Sequence, residues 1–351
     1  MPPLATTRHF GPTNLAPIES PRFQQDLRQA LDTGSGYTTL ADPSTHPYGR
    51  MVNDGGPTVP GRSNNCLDGS LAALSSFYGD PQVAAPRWPD LNPDGTPDVR
   101  SGEADGLRRA QAWLGDTWTG PPAGTPGDPA GRATAVADQY ADLHAQIAAA
   151  GPGASALVVA DWLAIDPATG QPLVDANGNV VREDAHAFVI VYPRGASGPV
   201  WWDPQSGRTW DSPPAGFMRA THTLWHIRAD QLAGSPTPTT SEGTPNVTGT
   251  AADGGTGTGA DPAPRRAQHG GDPVPVRVRL AGEAGPDGGA AQQGMHVGHG
   301  SYIVDRTGVV TVHTSLPIPM VMEDYSEARR AGHLSGRQIW PEPTPPRLPD
   351  P

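Results

Sequence analysis

A cysteine, a histidine and an aspartate stand at positions from which they could form a nucleophilic triad. Cys66 is the single cysteine of the chain, and three residues of capping type, Ser63, Asn64 and Asn65, precede it. At the start of a helix, the dipole and the unpaired backbone N–H groups stabilise a thiolate. The same N–H groups can bind an oxyanion. Cys66 is therefore a candidate nucleophile, with a buried structural cysteine as the alternative.

The candidate base and acid lie on two apolar runs further along the chain. His186 belongs to residues 185–192, which read as a buried strand, and Asp203 ends a short run directly before Pro204. Alone, such a histidine is more often part of a core, and Asp-Pro commonly opens a turn. A hairpin between the two strands would bring Asp203 near His186. In the order Cys, His, Asp, the imidazole takes the thiol proton and the carboxylate fixes its orientation.

The apolar periodicity predicts the elements that must position these residues. A helix is predicted over residues 66–79, where the apolar residues at helical spacing are Leu67, Leu71, Leu74 and Tyr78. A second helix is predicted over residues 133–150. Strands are predicted at residues 156–160, 185–192, 199–203 and 221–227. Helices followed by strands with short connections indicate an α+β fold with an antiparallel sheet.

Three short motifs in this order resemble the papain-fold toxin (Tox-PL) glutamine deamidase domain of bacterial polymorphic toxins and effectors. They are Asn65-Cys66 at a helix start, Ala185-His186-Ala187-Phe188 on a strand, and Asp203-Pro204-Gln205-Ser206-Gly207. The resemblance covers about residues 46–232. One position departs from the family pattern, since Ala185 stands where the family often has glycine before the histidine.

The resemblance implies a papain-like α+β fold with Cys66 as nucleophile, His186 as base and Asp203 as the orienting acid. Asn65 and Gln205 match motif positions and are expected to have supporting roles, with the Asn65 amide joining the helix N–H groups around an oxyanion. The implied reaction converts a glutamine of a target protein to glutamate, with release of ammonia through a thioester. The implied partners are that target protein and an immunity protein.

Other functions remain open from the residues alone. The same triad and fold would serve a cysteine peptidase, an acyltransferase or a transglutaminase, because all of them pass through a thioester. A non-catalytic secreted binding module is a further alternative, although the intact set of Cys66, His186 and Asp203 argues against a degenerate site.

Composition excludes several kinds of chemistry. The 24 basic residues, all arginine, face 36 acidic ones, and the net charge of −12 argues against a nucleic-acid partner. Without lysine there is no Schiff base or P-loop lysine. One cysteine excludes an intramolecular disulfide and a multi-cysteine metal site. His296, His299 and His313 lie around a glycine-rich segment whose spacing does not favour zinc, so we expect no metal and no cofactor.

The distribution of 44 glycines and 42 prolines suggests one globular domain with looser flanks. We expect five parts: a loosely structured segment at 1–45, the papain-like domain at 46–232, a Gly/Pro/Thr-rich linker at 233–294, a small β-rich module at 295–340 with a hairpin turn at 305–308, and a Pro-rich tail at 341–351. The N-terminus has no apolar run of signal-peptide length, and no stretch approaches a membrane helix, so we expect no membrane partner. Export would then need a route that reads no such signal, or delivery as part of a larger protein.

Overall fold

The structure, a computed structural model, describes most of the first 230 residues and parts of the C-terminal region. The described residues are 3–230 without 55, 58, 94, 96–97, 99–100, 122–128, 167–168, 170 and 177–179, together with 277–278, 301–304, 310–313 and 316–330. All of them belong to one unit, Met1–Ser235 with Val276–Pro351.

Among the described residues, five helices precede the first strand, as the α+β prediction requires, and two more come between and after the strands. A 3-10 turn, Leu4–Thr7, precedes the helices of the described residues, which are α1 (Pro21–Leu31), α2 (Tyr48–Met51), α3 (Cys66–Phe77), α4 (Gly106–Leu114), α5 (Pro129–Ala150), α6 (Ala215–Ala220) and α7 (Ile318–Arg330). The strands are β1 (Ser155–Leu163), β2 (Arg182–Val191), β3 (Val200–Asp203), β4 (Arg208–Trp210), β5 (Thr221–Arg228), β6 (Arg277–Val278), β7 (Ser301–Val304) and β8 (Val310–His313).

A five-stranded antiparallel sheet in the order β4-β3-β2-β1-β5 forms the centre of the fold. Its longest pairing joins β1 to β2, with Ala160 opposite His186 and Asp161 opposite Ala185. Because side chains alternate along a strand, His186 and Phe188 point to one face of the sheet and Ala187 to the other. The two faces carry separate apolar clusters.

Helix α3 packs on the Ala187 face and is buried on every side. The sequence predicted one apolar face, yet all twelve residues from Cys66 to Phe77 are buried. Small side chains explain the difference, since Ala72, Ala73 and Ser76 allow the sheet, α4 and the N-terminal segment to approach the helix from several directions. The helix that carries the cysteine is therefore the central helix of the domain.

The N-terminal segment is part of this core. Loose structure was expected for residues 1–45, but residues 3–45 contain α1, and Leu4, Leu27 and Leu31 are fully buried. In the sequence, Phe23, Leu27 and Leu31 share one helical face, which is a short helical signal within a segment otherwise expected to be loose. The structure has α1 at this place, and its leucines join the same apolar cluster as α3. The N-terminal boundary of the papain-like domain, placed at residue 46 from the sequence, stays a prediction.

The opposite face of the sheet is covered by α5, α6 and α7. Leu316, Val321 and Tyr325 of the C-terminal segment are buried in the same cluster as Phe217. Strands β7 and β8 pair antiparallel at the predicted hairpin, and β6, inside the expected linker, pairs with β7. The remainder of 233–294 and the tail 341–351 lie outside the described residues. No helix in the described part of the chain is long and apolar enough to cross a bilayer.

Candidate active site

The three candidate residues meet where the pairing of β3 with β2 stops. The residues of β2 that pair with β3 are 189–191, and the next residue of β3 toward the turn is Asp203. The N–H of Tyr192 bonds to Ala154 on the β1 side, so by alternation the N–H of Ala187 points to the β3 side. There it donates to Sγ of Cys66 at 3.3 Å. Cys66, the first residue of α3, thus accepts a hydrogen bond from a residue of β2 that does not pair with β3.

His186 and Asp203 form the second half of the arrangement. Nε2 of His186 lies 3.1 Å from Oδ1 of Asp203, and both side chains are fully buried, as is Cys66. Nδ1 of His186 is also buried and has no hydrogen-bond partner among the described residues. Because Asp203 engages Nε2, Nδ1 is the ring nitrogen that is left to exchange a proton with the thiol of Cys66.

The charges in this interior favour a protonated imidazole. Burial alone lowers the pKa of His186, but the negative charge of Asp203, its hydrogen bond to the ring and the neighbouring Cys66 raise it to about 10. Burial raises the pKa of Asp203, whereas the imidazolium of His186 and hydrogen bonds from His186, Ser206 and Gln205 hold it below its ordinary value of 3.8. The pair is therefore an imidazolium–carboxylate ion pair sealed from solvent.

Aromatic rings enclose the imidazole of His186. Trp162 and Phe188 lie nearly parallel to it, with ring centroids 6.2 and 6.0 Å away, and Phe217 meets it edge-on at 5.9 Å. These contacts fix the plane of the ring and exclude water. Because Cys66 also has no exposed surface, a substrate can reach it only when side chains around the site move.

The turn after β3 presents Asp203. The N–H of Gly207 donates to the Asp203 carbonyl at 2.8 Å, and Gly207 has φ +72°, a left-handed conformation that glycine adopts without strain. The N–H of Gln205 donates to Oδ1 of Asp203 at 3.2 Å, and the Ser206 hydroxyl donates to Oδ2. The D-P-Q-S-G motif is therefore a turn whose donors orient the carboxylate.

Comparison with known proteins yields one family. Residues 64–208 match the family model described as papain fold toxin 1, glutamine deamidase. By this match, residues 64–208 are similar to a papain-fold toxin glutamine deamidase domain, and the region around the three candidate residues is called the deamidase domain. No curated protein and no solved structure gives a significant match. The matched segment of the deamidase domain begins two residues before Cys66 and ends after the turn that holds Asp203, and the α+β structure agrees with the papain fold.

The two predicted supporting residues of the deamidase domain touch each other beside the triad. Nε2 of Gln205 donates to Oδ1 of Asn65 at 3.3 Å. Nδ2 of Asn65 donates to Oδ1 of Asn53 at 2.9 Å and to the Ala85 carbonyl at 3.0 Å. Both N–H groups of the Asn65 amide are thus engaged within the protein, so in this structure neither is directed at an oxyanion. Asn65 joins the start of α3 to the Asp203 turn.

Sequence reasoning missed the buried polar residues that hold this junction. Nδ2 of Asn53 donates to the carbonyl of Gln205 at 3.0 Å, and Nη1 of Arg62 donates to Oδ1 of Asn53 at 3.1 Å. Asn53 and Gln205 are 152 residues apart, so no local pattern could link them.

Asp68 anchors the first turn of α3 and was also missed. It is fully buried, and its carboxylate accepts hydrogen bonds from Nη2 of Arg8 at 2.8 Å and from Nη2 of Arg109 at 3.0 Å. Burial raises the pKa of Asp68, but the two arginines lower it more, so the carboxyl is charged. An acidic residue in the first turn of a helix was the available signal.

The described residues contain no group of three or more His, Cys, Asp and Glu side chains arranged to hold a metal. His296 and His299 lie outside the described residues, and His313 is described only as the last residue of β8.

Proposed function

We propose that the deamidase domain converts a glutamine of a target protein to glutamate through a Cys66–His186–Asp203 triad. One observation carries the assignment: Asp203 engages Nε2 of His186 at 3.1 Å, which leaves the buried Nδ1 to the thiol of Cys66. The family match supports glutamine as the substrate side chain and a toxin as the setting.

In the first half-reaction the thiolate of Cys66 attacks the side-chain carboxamide carbon of the glutamine. The carbonyl π electrons move to the oxygen, and the oxyanion is received by the unpaired backbone N–H groups at the start of α3. The imidazolium of His186 gives its proton to the amide nitrogen as the C–N bond breaks. Ammonia leaves, and a γ-glutamyl thioester remains on Cys66.

In the second half-reaction water replaces ammonia. The thioester no longer carries the negative charge that helped to hold a proton on His186, so the neutral imidazole can act as a base. His186 removes a proton from water, and the resulting hydroxide attacks the thioester carbon. Collapse of this intermediate releases the glutamate carboxyl group and restores the thiolate–imidazolium pair.

Asp203 and its neighbours position the groups that react. Asp203 keeps Nε2 protonated, so Nδ1 points to the sulfur. Asn65 and Gln205 are positioning residues, because their mutual hydrogen bond connects the start of α3 to the turn that carries Asp203. Their loss is expected to lower the rate of the reaction through misplacement of Cys66 relative to His186.

The deciding experiment measures ammonia release and intact mass with a denatured glutamine-rich protein as substrate. We expect the wild type to release ammonia and to produce the mass gain of an NH2-to-OH exchange, and Cys66→Ala to do neither. Ser70→Ala is the matched control, since Ser70 lies on the same buried helix and its hydroxyl has no hydrogen-bond partner among the described residues. Ammonia release by Cys66→Ala would overturn the triad. Chain cleavage would indicate a peptidase, and incorporation of an added amine a transglutaminase.

A further inference from the structure

We propose that a groove beside the triad turn, lined by Arg50, Arg208 and Trp210, docks an acidic segment of the target protein. The role of the bound protein as a substrate rests on the proposed function. The binding itself is a separate property of this surface.

Two adjoining cavities form the arginine groove. The first has a volume of about 460 Å³ and is lined by Arg50, Ser206, Gly207, Arg208, Thr209 and Trp210. The second, of about 450 Å³, shares Arg208 and Trp210 and adds residues of α6 and the loop before it, among them Arg219. Trp210 is half-buried, so one part of its ring is available at the wall that the two cavities share.

The arginine groove begins at the turn that orients the catalytic acid. Ser206 lines it and donates its hydroxyl to Asp203, and Arg208 lies opposite Asp203 in the pairing of β3 with β4. The absence of a side chain on Gly207 brings Arg50 close, because a Cβ there would lie 3.3 Å from Cγ of Arg50. A segment held in the groove is therefore held next to the residues that surround His186.

The charge of the arginine groove is opposite in sign to the net charge of the whole protein. The chain carries a net charge of −12, whereas the three arginines and two glutamates that line these two cavities sum to +1. A ligand with carboxylates is attracted to such a surface, while the rest of the protein repels it. Arginine and tryptophan are also the residue types that contribute most at protein interfaces.

The protein already places carboxylates beside these arginines. Glu323 and Glu327 of α7 line the second cavity together with Arg208 and Arg219. Strand β4 is the outermost strand of the five-stranded sheet on this side, so an extended segment has a strand edge to lie along. An acidic, extended stretch that flanks the reactive glutamine fits both features.

Binding can be measured without turnover on the Cys66→Ala protein. The probe is a short fluorescein-labelled peptide in which one glutamine is flanked by glutamates and a leucine, and its neutral counterpart has glutamine in place of each glutamate. By fluorescence anisotropy we expect the acidic peptide to bind more tightly than the neutral one, and more weakly as salt is raised. Reversal of Arg208 and Arg219 to glutamate together should weaken binding about tenfold.

Two variants make the test specific. Arg28→Glu reverses one arginine on the exposed surface of α1, outside the groove, and should leave the affinity unchanged. Replacing Glu323 and Glu327 by glutamine removes like charges from the groove and should strengthen binding. Equal affinity for the two peptides, no effect of the double reversal, or an equal effect of Arg28→Glu would overturn the proposal. Ammonia release from the denatured substrate is scored separately, so failure of the groove is distinguishable from failure of the deamidase assignment.

Discussion

The carboxylate of Asp203 holds Nε2 of His186 at 3.1 Å in an interior where neither side chain has any exposed surface. In this setting the carboxylate does two things at once: it selects the proton-bearing nitrogen and it compensates the positive charge of the ring. An amide could preserve the shape of the contact but not the charge.

Asp203→Asn should therefore lower kcat/KM for ammonia release between about a hundredfold and ten-thousandfold, while the fold is retained. The loss follows because an uncharged partner no longer stabilises the imidazolium or fixes the reactive orientation. Asp211→Asn, at an exposed position after β4, is the control and should keep activity. A rate for Asp203→Asn close to that of the wild type would show that Asp203 has no such role.

The pKa of His186 predicts how folding stability depends on pH. The folded-state pKa of about 10 lies above the ordinary value of 6.5, so the folded protein holds this proton more tightly than the unfolded chain. This contribution is fully present below pH 6.5 and is lost as the pH rises through about 10.

We expect the Tm of the wild type to fall across that window and the Tm of His186→Gln to vary less with pH. Thermal unfolding followed by circular dichroism at a series of pH values provides the comparison. Parallel curves for the two proteins would contradict the ion pair.

Asp68→Asn should destabilise the domain strongly. The change leaves the guanidinium groups of Arg8 and Arg109 in a buried site with less negative charge, and breaking such a buried pair costs about 3–5 kcal/mol. Asp26→Asn disrupts an exposed pair with Arg22 on α1 and should change the free energy of unfolding by less than about 1 kcal/mol. Urea denaturation measures both, and similar effects of the two substitutions would refute this account of the helix anchor.

Phe217→Ala should make Cys66 react faster with iodoacetamide. Phe217 is fully buried against one edge of the His186 ring at a centroid distance of 5.9 Å. Its removal leaves a cavity beside His186 and loosens the packing of the sealed site. Phe77→Ala creates a comparable cavity at the far end of α3 and controls for general destabilisation. If both variants, kept well below their Tm, accelerate alkylation equally, Phe217 is not a cover of the site.

The principal elements of the fold and the candidate triad could be predicted because their signals are local. The cysteine stands where capping residues meet a helical repeat, and the strands of His186 and Asp203 are short apolar runs with clear ends. The helix predicted from Cys66, the helix predicted at 133–150 and the four predicted strands all appear in the structure. The family match confirms the resemblance that the three motifs indicated.

The remainder depends on contacts between distant parts of the chain. Asn53 and Arg62 reach the triad turn through buried hydrogen bonds that leave no periodic trace in the sequence. The order of the N-terminal segment beyond the short apolar repeat at residues 23–31 was missed for a related reason, as was α7. Apolar residues such as Leu4, Val321 and Tyr325 fill gaps in cores built by other elements. The packing role of such residues can be predicted only when the surface that they cover is known.

The backbone N–H of Ala187 on β2 donates to Sγ of Cys66. In an ordinary sheet this N–H would bond to a neighbouring strand. If β3 continued for one more residue in extended form, position 204 would come opposite Ala187, but a proline stands there and the chain turns away. The sulfur of Cys66 therefore takes the place of a strand. With Cys66 as the proposed nucleophile, regular sheet formation competes with catalysis for a single N–H group. Natural or designed changes that extend β3 should yield a more stable sheet and an inactive protein, which makes this junction a point where stability and activity oppose each other.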